Sequence, residues 1–211
     1  MKYLSNVTLI AYDNTEYPER TVSAMRHCRQ EIEFACAVIV SNTTPRNLQD
    51  EVFELVPDCG YRAAMDFEVN RIHRYVETDF ALFVSHDGYI QNPSAWQDEW
   101  LCFDFIGAPW PQWLCGRLSD PSHRVGNTGF CLKSKRFMQL CFEFGANFDP
   151  STPGDVYTSD TIRTQLEKSG MKYAPIEIAS DFSWELNTEE FPKGRFDAFG
   201  FHDFAGKVAR T

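Results

Sequence analysis

Residues 78–88 read Thr78-Asp79-Phe80-Ala81-Leu82-Phe83-Val84-Ser85-His86-Asp87-Gly88 and contain the most strand-like run of the chain. Five apolar, β-prone residues stop abruptly at a polar turn, which is typical of a buried strand in a parallel sheet. Open α/β sheets bind their ligands at the carboxyl ends of such strands. The stretch therefore predicts a central strand over residues 80–84 and a candidate site in the turn that follows it.

The first forty residues predict a β-α-β unit. A β-prone run over residues 7–12 precedes a helical pattern over residues 18–31, and a second apolar run covers residues 36–40. Two strands separated by a helix of this length form a right-handed unit in which the strands are parallel.

The rest of the chain continues to alternate helices and strands. Residues 65–76, before the central strand, carry apolar side chains at helical spacing. The elements predicted after it are a short helix over 92–100, a strand over 103–106, a loop over 107–125, a strand over 130–132, a helix capped by Ser134 and running to about residue 144, a loop over 145–153, a helix over 155–168 and a strand over 173–178. Because no internal repeat or linker interrupts this pattern, we expect a single α/β domain over residues 1–211.

The composition argues against several classes of protein. Of the 211 residues, 43% are hydrophobic and 24% are charged, as in ordinary globular proteins. The net charge is -10, whereas proteins that bind nucleic acid or anionic membranes generally carry an excess of positive charge. No apolar run approaches the ~20 residues of a membrane-spanning helix, and the N-terminus turns polar at once, unlike a signal peptide.

The cysteines predict a reducing environment. There are seven, an odd number, widely spread and without a C-x-x-C pair, which disfavours a zinc ribbon or a thioredoxin-like motif. Several lie in apolar runs, where a free cysteine behaves as a small hydrophobic residue. We therefore expect a cytoplasmic protein.

Common catalytic motifs are missing from the sequence. It contains no Walker A loop, no G-x-G-x-x-G after the first strand, no H-E-x-x-H and no G-x-S-x-G. The candidates that remain are isolated acidic and histidine residues at the ends of predicted strands.

Asp87 is the strongest of these candidates. A carboxylate directly after a buried strand, followed by Gly88, suits Mg²⁺ or Mn²⁺, which are often held by one or two carboxylates together with substrate phosphates and waters. Asp-Gly is also among the commonest turn dipeptides, so an ordinary turn is the alternative.

For each of the other candidates, a functional role and a purely structural role are both possible. His202 lies between aromatic residues and is either a ligand or a packed, hydrogen-bonded side chain. Asp155 follows Pro153-Gly154 at a predicted helix N-terminus and is either a functional acid or a helix cap. Trp110 and Trp113 form a stacking platform or pack within a loop. Asn127, in the turn Asn127-Thr128-Gly129, offers donors to a ligand or simply turns the chain.

Several stretches of the chain together resemble the DUF5672 family, which is regarded as a family of glycosyltransferases with a GT-A-type nucleotide-sugar fold. The resemblance covers residues 5–204. It rests on Val7-Thr8-Leu9-Ile10-Ala11, Thr78-Asp79-Phe80 leading to His86-Asp87-Gly88, Asp104-Phe105-Ile106-Gly107-Ala108-Pro109-Trp110, Val125-Gly126-Asn127-Thr128-Gly129-Phe130 and Phe199-Gly200-Phe201-His202. The implied fold is an α/β, single-domain, GT-A-like (Rossmann-type) structure with a mostly parallel sheet flanked by helices.

The resemblance also implies an activity and a set of site residues. The activity is transfer of a sugar from a nucleoside diphosphate sugar to an acceptor hydroxyl, with Mn²⁺ or Mg²⁺ as cofactor and inversion at the sugar carbon. Asp87 and His202 are the implied metal ligands, and Asp155 is the implied catalytic base. The implied donor-binding residues are Tyr12, Asp13, Ser41, His86, Asp87 and Asn127. The chain departs from the usual D-x-D pattern because Ser85 stands at its first acidic position.

The acceptor and two rival functions stay open at this point. A carbohydrate, a lipid-linked sugar or a small molecule would suit such an enzyme. A phage-type enzyme could instead add sugar to hydroxymethylated DNA bases, with basic residues around the cleft and a tryptophan to stack on a flipped base. Those basic residues are Arg117, His123, Arg124, Lys133, Lys135 and Arg136. A non-catalytic nucleotide-sugar-binding module and a purely structural α/β domain are the remaining alternatives.

Overall fold

A computed structural model describes residues 1–56 and 60–203. The strands in this part of the chain are β1 (Lys2–Asp13), β2 (Ile32–Ser41), β3 (Val52–Leu55), β4 (Phe80–Val84), β5 (Gly88–Ile90), β6 (Phe105–Gly107), β7 (Cys131–Ser134), β8 (Ser183–Trp184) and β9 (Gly200–His202). Six of them form the main sheet in the order β3-β2-β1-β4-β7-β6, and the other three form a small sheet in the order β5-β9-β8.

The main sheet is mostly parallel, as the sequence predicts. β1 pairs in parallel with β2 on one side and with β4 on the other, and β3 extends the sheet in parallel beyond β2. β7 runs antiparallel between β4 and β6. Strand β4 begins and ends where the apolar run at residues 80–84 predicts it, and its side chains at 81–84 are buried. The carboxyl ends of β1 and β4 therefore meet at one edge of the sheet.

Helices pack on the sheet and complete the α/β architecture. The α-helical segments are α1 (Glu19–Cys28), α2 (Tyr61–Asp66), α3 (Gln112–Cys115), α4 (Lys135–Phe144), α5 (Gly154–Val156), α6 (Arg163–Lys168) and α7 (Ile176–Phe182). The predicted cap of α4 is confirmed, because the Ser134 Oγ accepts a hydrogen bond from the Phe137 N–H at 3.0 Å. Among the described residues, no helix combines the length and apolar character needed to cross a bilayer.

Two predicted helices are interrupted by π-helical turns. The segment predicted at 65–76 starts earlier, as α2, and continues as a π turn over Phe67–Arg71 and a 3-10 turn over Ile72–Tyr75. A second π turn, Tyr157–Thr161, separates α5 from α6. Such turns insert an extra residue into the helical repeat and change which side chains face the sheet. The helix predicted at 92–100 is two 3-10 turns, Pro93–Ala95 and Asp98–Cys102.

The predicted strand at residues 173–178 is wrong. Tyr173 makes only an isolated bridge to Phe105, and the following residues enter α7. Pro175 stands at the N-cap of this helix and has no N–H to donate to a ladder, so the chain turns into a helix after one strand-like contact.

The small sheet brings three distant segments together. β9 lies between β5, which is antiparallel to it, and β8, which is parallel to it. Gly88 pairs with His202 in this sheet, and Trp184 pairs with Phe201. The turn after β4, the segment after β8 and the end of β9 consequently meet beside the carboxyl edge of the main sheet.

Candidate active site

A cavity of about 810 Å³ lies where the two sheets meet. Tyr12 near the end of β1, Ser85 after β4 and His202 on β9 line one part of it, and Asp155 on α5 lines another. This volume is in the range typical of small-molecule and cofactor sites. Of the implied catalytic, metal-binding and donor-binding residues, four line the cavity: Tyr12, Asn127, Asp155 and His202. The candidates Trp110, Trp113 and Arg117 line it too.

His202 lines one side of this cavity, and Asp87, which does not itself line the cavity, lies next to it. The Nε2 atom of His202 is 3.8 Å from Oδ1 of Asp87. The hydroxyl of Ser85 donates a hydrogen bond to the same oxygen at 2.8 Å. Ser85, which replaces the first acidic residue of the expected motif, therefore orients the remaining carboxylate. His86 does not line the cavity, and its Nδ1 atom is 3.7 Å from Asp87 Oδ1.

Glu185 contacts the other nitrogen of the His202 ring. Its Oε1 atom is 3.1 Å from Nδ1, and its side chain is only 6% exposed. Burial alone would lower the pKa of His202, but the hydrogen bond and the charge of Glu185 outweigh that effect and the pKa is raised. Sequence analysis missed Glu185 because the two-residue strand before it is too short to show a period.

Glycines in two turns allow the histidine ring to sit in this place. A Cβ atom at Gly129 would lie 2.4 Å from ring atoms of His202. A Cβ atom at Gly88 would lie 2.8 Å from the carbonyl oxygen of Gly129. Asn127 shapes the same turn, since its Oδ1 atom accepts the Gly129 N–H at 3.1 Å. The turn therefore serves as a close-fitting wall for His202.

Asp155 lies among charged groups at the other part of the cavity. Burial and the nearby charge of Glu68 raise the pKa of Asp155 to about 7. Glu68 also lines the cavity, and its Oε1 atom is 3.0 Å from Nζ of Lys133, which is 2% exposed. Oε2 of Glu68 lies against the backbone of Gly154, where a Cβ atom would approach it to 2.7 Å.

Glu68 is a second functional candidate that sequence analysis missed. A regular helix over residues 65–76 predicts an apolar stripe through Phe67 and Ile72, with Glu68 beside it. The π turn that starts at Phe67 changes this arrangement and places Glu68 in the cavity wall.

Two other acids near Asp155 have structural roles. Asp160 accepts hydrogen bonds from the Ser119 N–H, the Ser119 hydroxyl and the Asp120 N–H, and its Oδ1 atom is 3.0 Å from His123 Nδ1. Burial would raise the pKa of Asp160, but these bonds lower it. The side chain of Asp149 accepts hydrogen bonds from Ser151, which lower its pKa.

Asp13 and Ser41 do not line the cavity. The carboxylate of Asp13 accepts a hydrogen bond from the Thr15 N–H at 2.8 Å and another from the Thr21 hydroxyl. Ser41 is fully buried, and its Oγ atom accepts the Thr43 N–H at 3.1 Å. Their side chains thus hold the turns after β1 and β2. Tyr12, in contrast, lines the cavity and stacks on Phe67 with ring centroids 4.3 Å apart.

The segment over residues 107–125 is held in place at two points. Asp160 holds one of them through the contacts described above. At the other, Arg124 pairs with Glu190 at 2.6 Å and with Glu189 at 3.1 Å. The same segment contributes Trp113, which is 62% exposed, and Arg117 to the cavity wall.

The donor atoms present suit a hard divalent cation. Asp87 Oδ1 and His202 Nε2 converge, and Glu185 occupies the outer nitrogen of the ring as a carboxylate does behind many metal-bound histidines. Within residues 1–56 and 60–203 there is no cluster of three or more His, Cys, Asp or Glu side chains arranged to hold a metal ion. A cation at Asp87 and His202 would accordingly need substrate oxygens as further ligands, which is common for Mg²⁺.

The fold is that of the GT-A glycosyltransferases. The galactosyltransferase LgtC, solved with donor and acceptor sugar analogs, gives a TM-score of 0.54 at 13% identity, covering 92% of this chain and 86% of LgtC. A glycosyltransferase involved in glycosylation of the major capsid of PBCV-1 gives 0.54 at 14% identity, covering 93% of this chain and 92% of that protein. The mannosyltransferase PcManGT from Pyrobaculum calidifontis, solved with GDP-Man and Mn²⁺, gives 0.50 at 11% identity, covering 82% of this chain and 55% of PcManGT.

The chain itself belongs to the DUF5672 family, described as a protein of unknown function, whose pattern matches residues 70–202. The expected family is thereby confirmed. A comparison with curated protein sequences finds no significant match. At these identities the similar structures define the fold, and the activity has to be argued from the site.

Proposed function

We propose that the protein is a glycosyltransferase that moves a sugar from a nucleoside diphosphate sugar to an acceptor hydroxyl, with a divalent cation and with inversion. The observation that carries this proposal is the pairing of two features in one cavity. His202 lines one side of the cavity with its Nε2 atom 3.8 Å from the Asp87 carboxylate, and Asp155, an acid whose pKa is raised to about 7, lines the same cavity.

The donor would bind at the carboxyl ends of β1 and β4. Tyr12, whose ring is fixed by stacking on Phe67, offers an aromatic surface near the end of β1. Asn127 lies in the turn beside His202, and His86 lies next to Asp87. Asp13 and Ser41 would contribute by fixing the turns around the donor, because their side chains already have partners within the chain.

Asp87 and His202 would hold the cation together with the donor diphosphate. When bound, Mn²⁺ or Mg²⁺ would stabilise negative charge on the diphosphate leaving group. Ser85 keeps the Asp87 carboxylate oriented through its 2.8 Å hydrogen bond. A neighbour of the same fold, PcManGT, was solved with GDP-Man and Mn²⁺, which supports this choice of ligands.

Asp155 would act as the general base. The acceptor oxygen forms a bond to the anomeric carbon as the bond from that carbon to the diphosphate oxygen breaks, and the electron pair leaves with the diphosphate. The hydroxyl proton passes to the Asp155 carboxylate. A base whose pKa is about 7 is well matched to this task near neutral pH. Attack from the face opposite the leaving group gives inversion.

The proposed acceptor is a carbohydrate, a lipid-linked sugar or a small molecule. Trp110, Trp113, Leu114 and Leu186 supply apolar and aromatic wall to the cavity, against which a sugar ring can pack. Modified DNA is a weaker candidate, because most of the basic residues suggested for it are occupied. His123, Arg124 and Lys133 are buried against carboxylates, and Arg136 donates to the Ser169 carbonyl.

A turnover assay tests this function. The protein is incubated with a panel of nucleoside diphosphate sugars, simple glycoside acceptors and Mn²⁺ or Mg²⁺, and nucleoside diphosphate release is measured. We expect release with at least one donor, loss of it in Asp155→Asn, and an inverted anomer in the product by NMR. Retained configuration would contradict the role of Asp155 as base. Donor binding that is never followed by turnover would favour the non-catalytic binding module.

A further inference from the structure

The segment after β8 places the carboxylate of Glu185 beside Nδ1 of His202. Because Ser183 pairs with Gly200 and Trp184 with Phe201 in parallel, the next residue along the chain, Glu185, comes level with His202. Its Oε1 atom lies 3.1 Å from His202 Nδ1, and both side chains are largely buried, at 6% and 16% exposed. The contact follows from the strand register and is not a chance meeting of two surface groups.

This contact has a consequence for the position of the ring proton. A neutral imidazole carries one proton, on either Nδ1 or Nε2, and the hydrogen bond made by one nitrogen decides which. An ionised carboxylate can only accept, so the contact with Glu185 requires the proton on Nδ1. The lone pair is then on Nε2, which lies 3.8 Å from Oδ1 of Asp87.

Asn127 favours the opposite tautomer. Its Nδ2 atom is 3.2 Å from the same Nδ1, while its Oδ1 atom is already used by the Gly129 N–H. An amide NH₂ group donates, and it would prefer a lone pair on Nδ1. The charge-assisted bond to Glu185 is roughly twice as strong as a neutral one and should prevail. Removal of Glu185 would leave Asn127 to decide the tautomer.

We propose that Glu185 is a positioning residue that keeps the proton of His202 on Nδ1 and thereby leaves Nε2 free to bind a divalent cation beside Asp87. The metal-binding half of this inference rests on the proposed function. The tautomer half stands on the geometry of the three side chains alone.

The first test is ¹⁵N NMR of the protein labelled at its five histidines. The His202 signals are assigned by their loss in His202→Asn, and spectra are recorded at a pH where the ring is neutral. We expect the wild-type ring to carry its proton on Nδ1. In Glu185→Ala the proton should move to Nε2, because only the Asn127 donor is left beside Nδ1. Glu177→Ala, a change at an exposed residue of α7, is the matched control and should leave the tautomer unchanged.

The second test is a titration with Mn²⁺ alone, followed by its EPR signal. Loss of a carboxylate behind a metal-bound histidine typically weakens metal binding about 10- to 100-fold. We expect a weakening of that size in Glu185→Ala and none in Glu177→Ala.

The outcomes separate the two halves of the inference. A wild-type proton on Nε2, or a proton that stays on Nδ1 in Glu185→Ala, would overturn the positioning role. The wild-type spectrum decides the first point even where the variant fails to fold. Wild-type protein that does not bind Mn²⁺ would overturn the metal-binding half. A tautomer switch in a protein that binds no nucleotide sugar would count against the proposed function and leave the positioning role intact.

Discussion

The ionised side chain of Asp155 is expected to destabilise the folded protein. Its pKa is about 7 in the folded protein and near 3.8 ordinarily, so the folded state holds the proton more tightly than the unfolded chain. The stability that depends on this proton is present below about pH 4 and is lost as the pH rises toward 7. At pH 8 the ionised side chain is a destabilising group in the fold.

We predict that Asp155→Asn lowers turnover by about 10²- to 10⁴-fold and raises the free energy of unfolding at pH 8. Because the side chain keeps some contact with solvent, the gain should be on the order of 2 kcal/mol. The gain should shrink on acidification to pH 4. Thermal unfolding of both proteins at the two pH values measures it. Equal melting temperatures of variant and wild type at both pH values would contradict the raised pKa.

The charge of Glu68 should control the pH at which Asp155 works. Glu68 raises the pKa of Asp155, and Lys133 lowers it by a smaller amount. Removing Glu68 alone would leave Lys133 buried without a partner at a cost of about 3 to 5 kcal/mol. The double variant Glu68→Gln/Lys133→Met avoids that cost and should shift the acidic limb of the pH–rate profile to lower pH. A limb that stays in place would show that Glu68 does not act on the base.

The turn before β7 should be intolerant of any side chain at one glycine. In Gly129→Ala the new methyl group would overlap the His202 ring, at 2.4 Å. We expect the ring to be displaced and sugar transfer to fall by at least about tenfold, a conservative figure for a misplaced active-site group.

Gly116→Ala is the control for this change. A Cβ atom there would lie 3.9 Å from the nearest atom, the carbonyl oxygen of Trp113, and should be harmless. Activity of both variants is compared at equal folded fraction, measured by circular dichroism. Full activity in Gly129→Ala would show that the position of His202 is unimportant.

The cap of α4 gives a prediction about stability alone. Ser134 accepts the Phe137 N–H and donates to Asp104 at 2.7 Å, so it ties α4 to the residue before β6. Ser134→Ala should lower the free energy of unfolding by about 1 to 2 kcal/mol. Ser134→Thr keeps the hydroxyl and should lose less. Chemical denaturation measures both, and an unchanged midpoint in the alanine variant would contradict the cap.

Elements with a strong local signal could be predicted from the sequence, and those made by tertiary contacts could not. β4 is an uninterrupted apolar run bounded by polar residues, and Ser134 is a standard cap, so both are found where expected. β8 and β9 have two and three residues and exist because they pair with each other and with β5. The apolar residues at 173–178 wrongly predict a strand, since after a single strand-like contact at Tyr173 the chain enters α7.

At the scale of the whole molecule, the candidate site likewise combines residues that the sequence indicates with residues that only tertiary contacts bring into place. The family resemblance implies Asp87 and His202 as a pair, and the small sheet brings His202 Nε2 to 3.8 Å from Asp87 Oδ1. The sequence does not indicate Glu185 or Glu68, because the position of Glu185 depends on strand register and that of Glu68 on a π turn. The acidic net charge of -10 has a local counterpart, since three carboxylates line the cavity: Glu68, Asp155 and Glu185. The negative charge of these carboxylates favours ligands that bind together with a cation.

The most direct test of the central claim is a thermal-shift measurement with nucleoside diphosphates and their sugars, each with and without Mn²⁺, on wild type and Asp87→Ala. A ligand at a hundred times its dissociation constant should stabilise the wild-type fold by about 2.7 kcal/mol. We predict a stabilisation by at least one nucleotide that requires the metal and is lost in Asp87→Ala. Absence of any shift in the wild type, or an equal shift in the variant, would contradict a donor site built on Asp87 and His202.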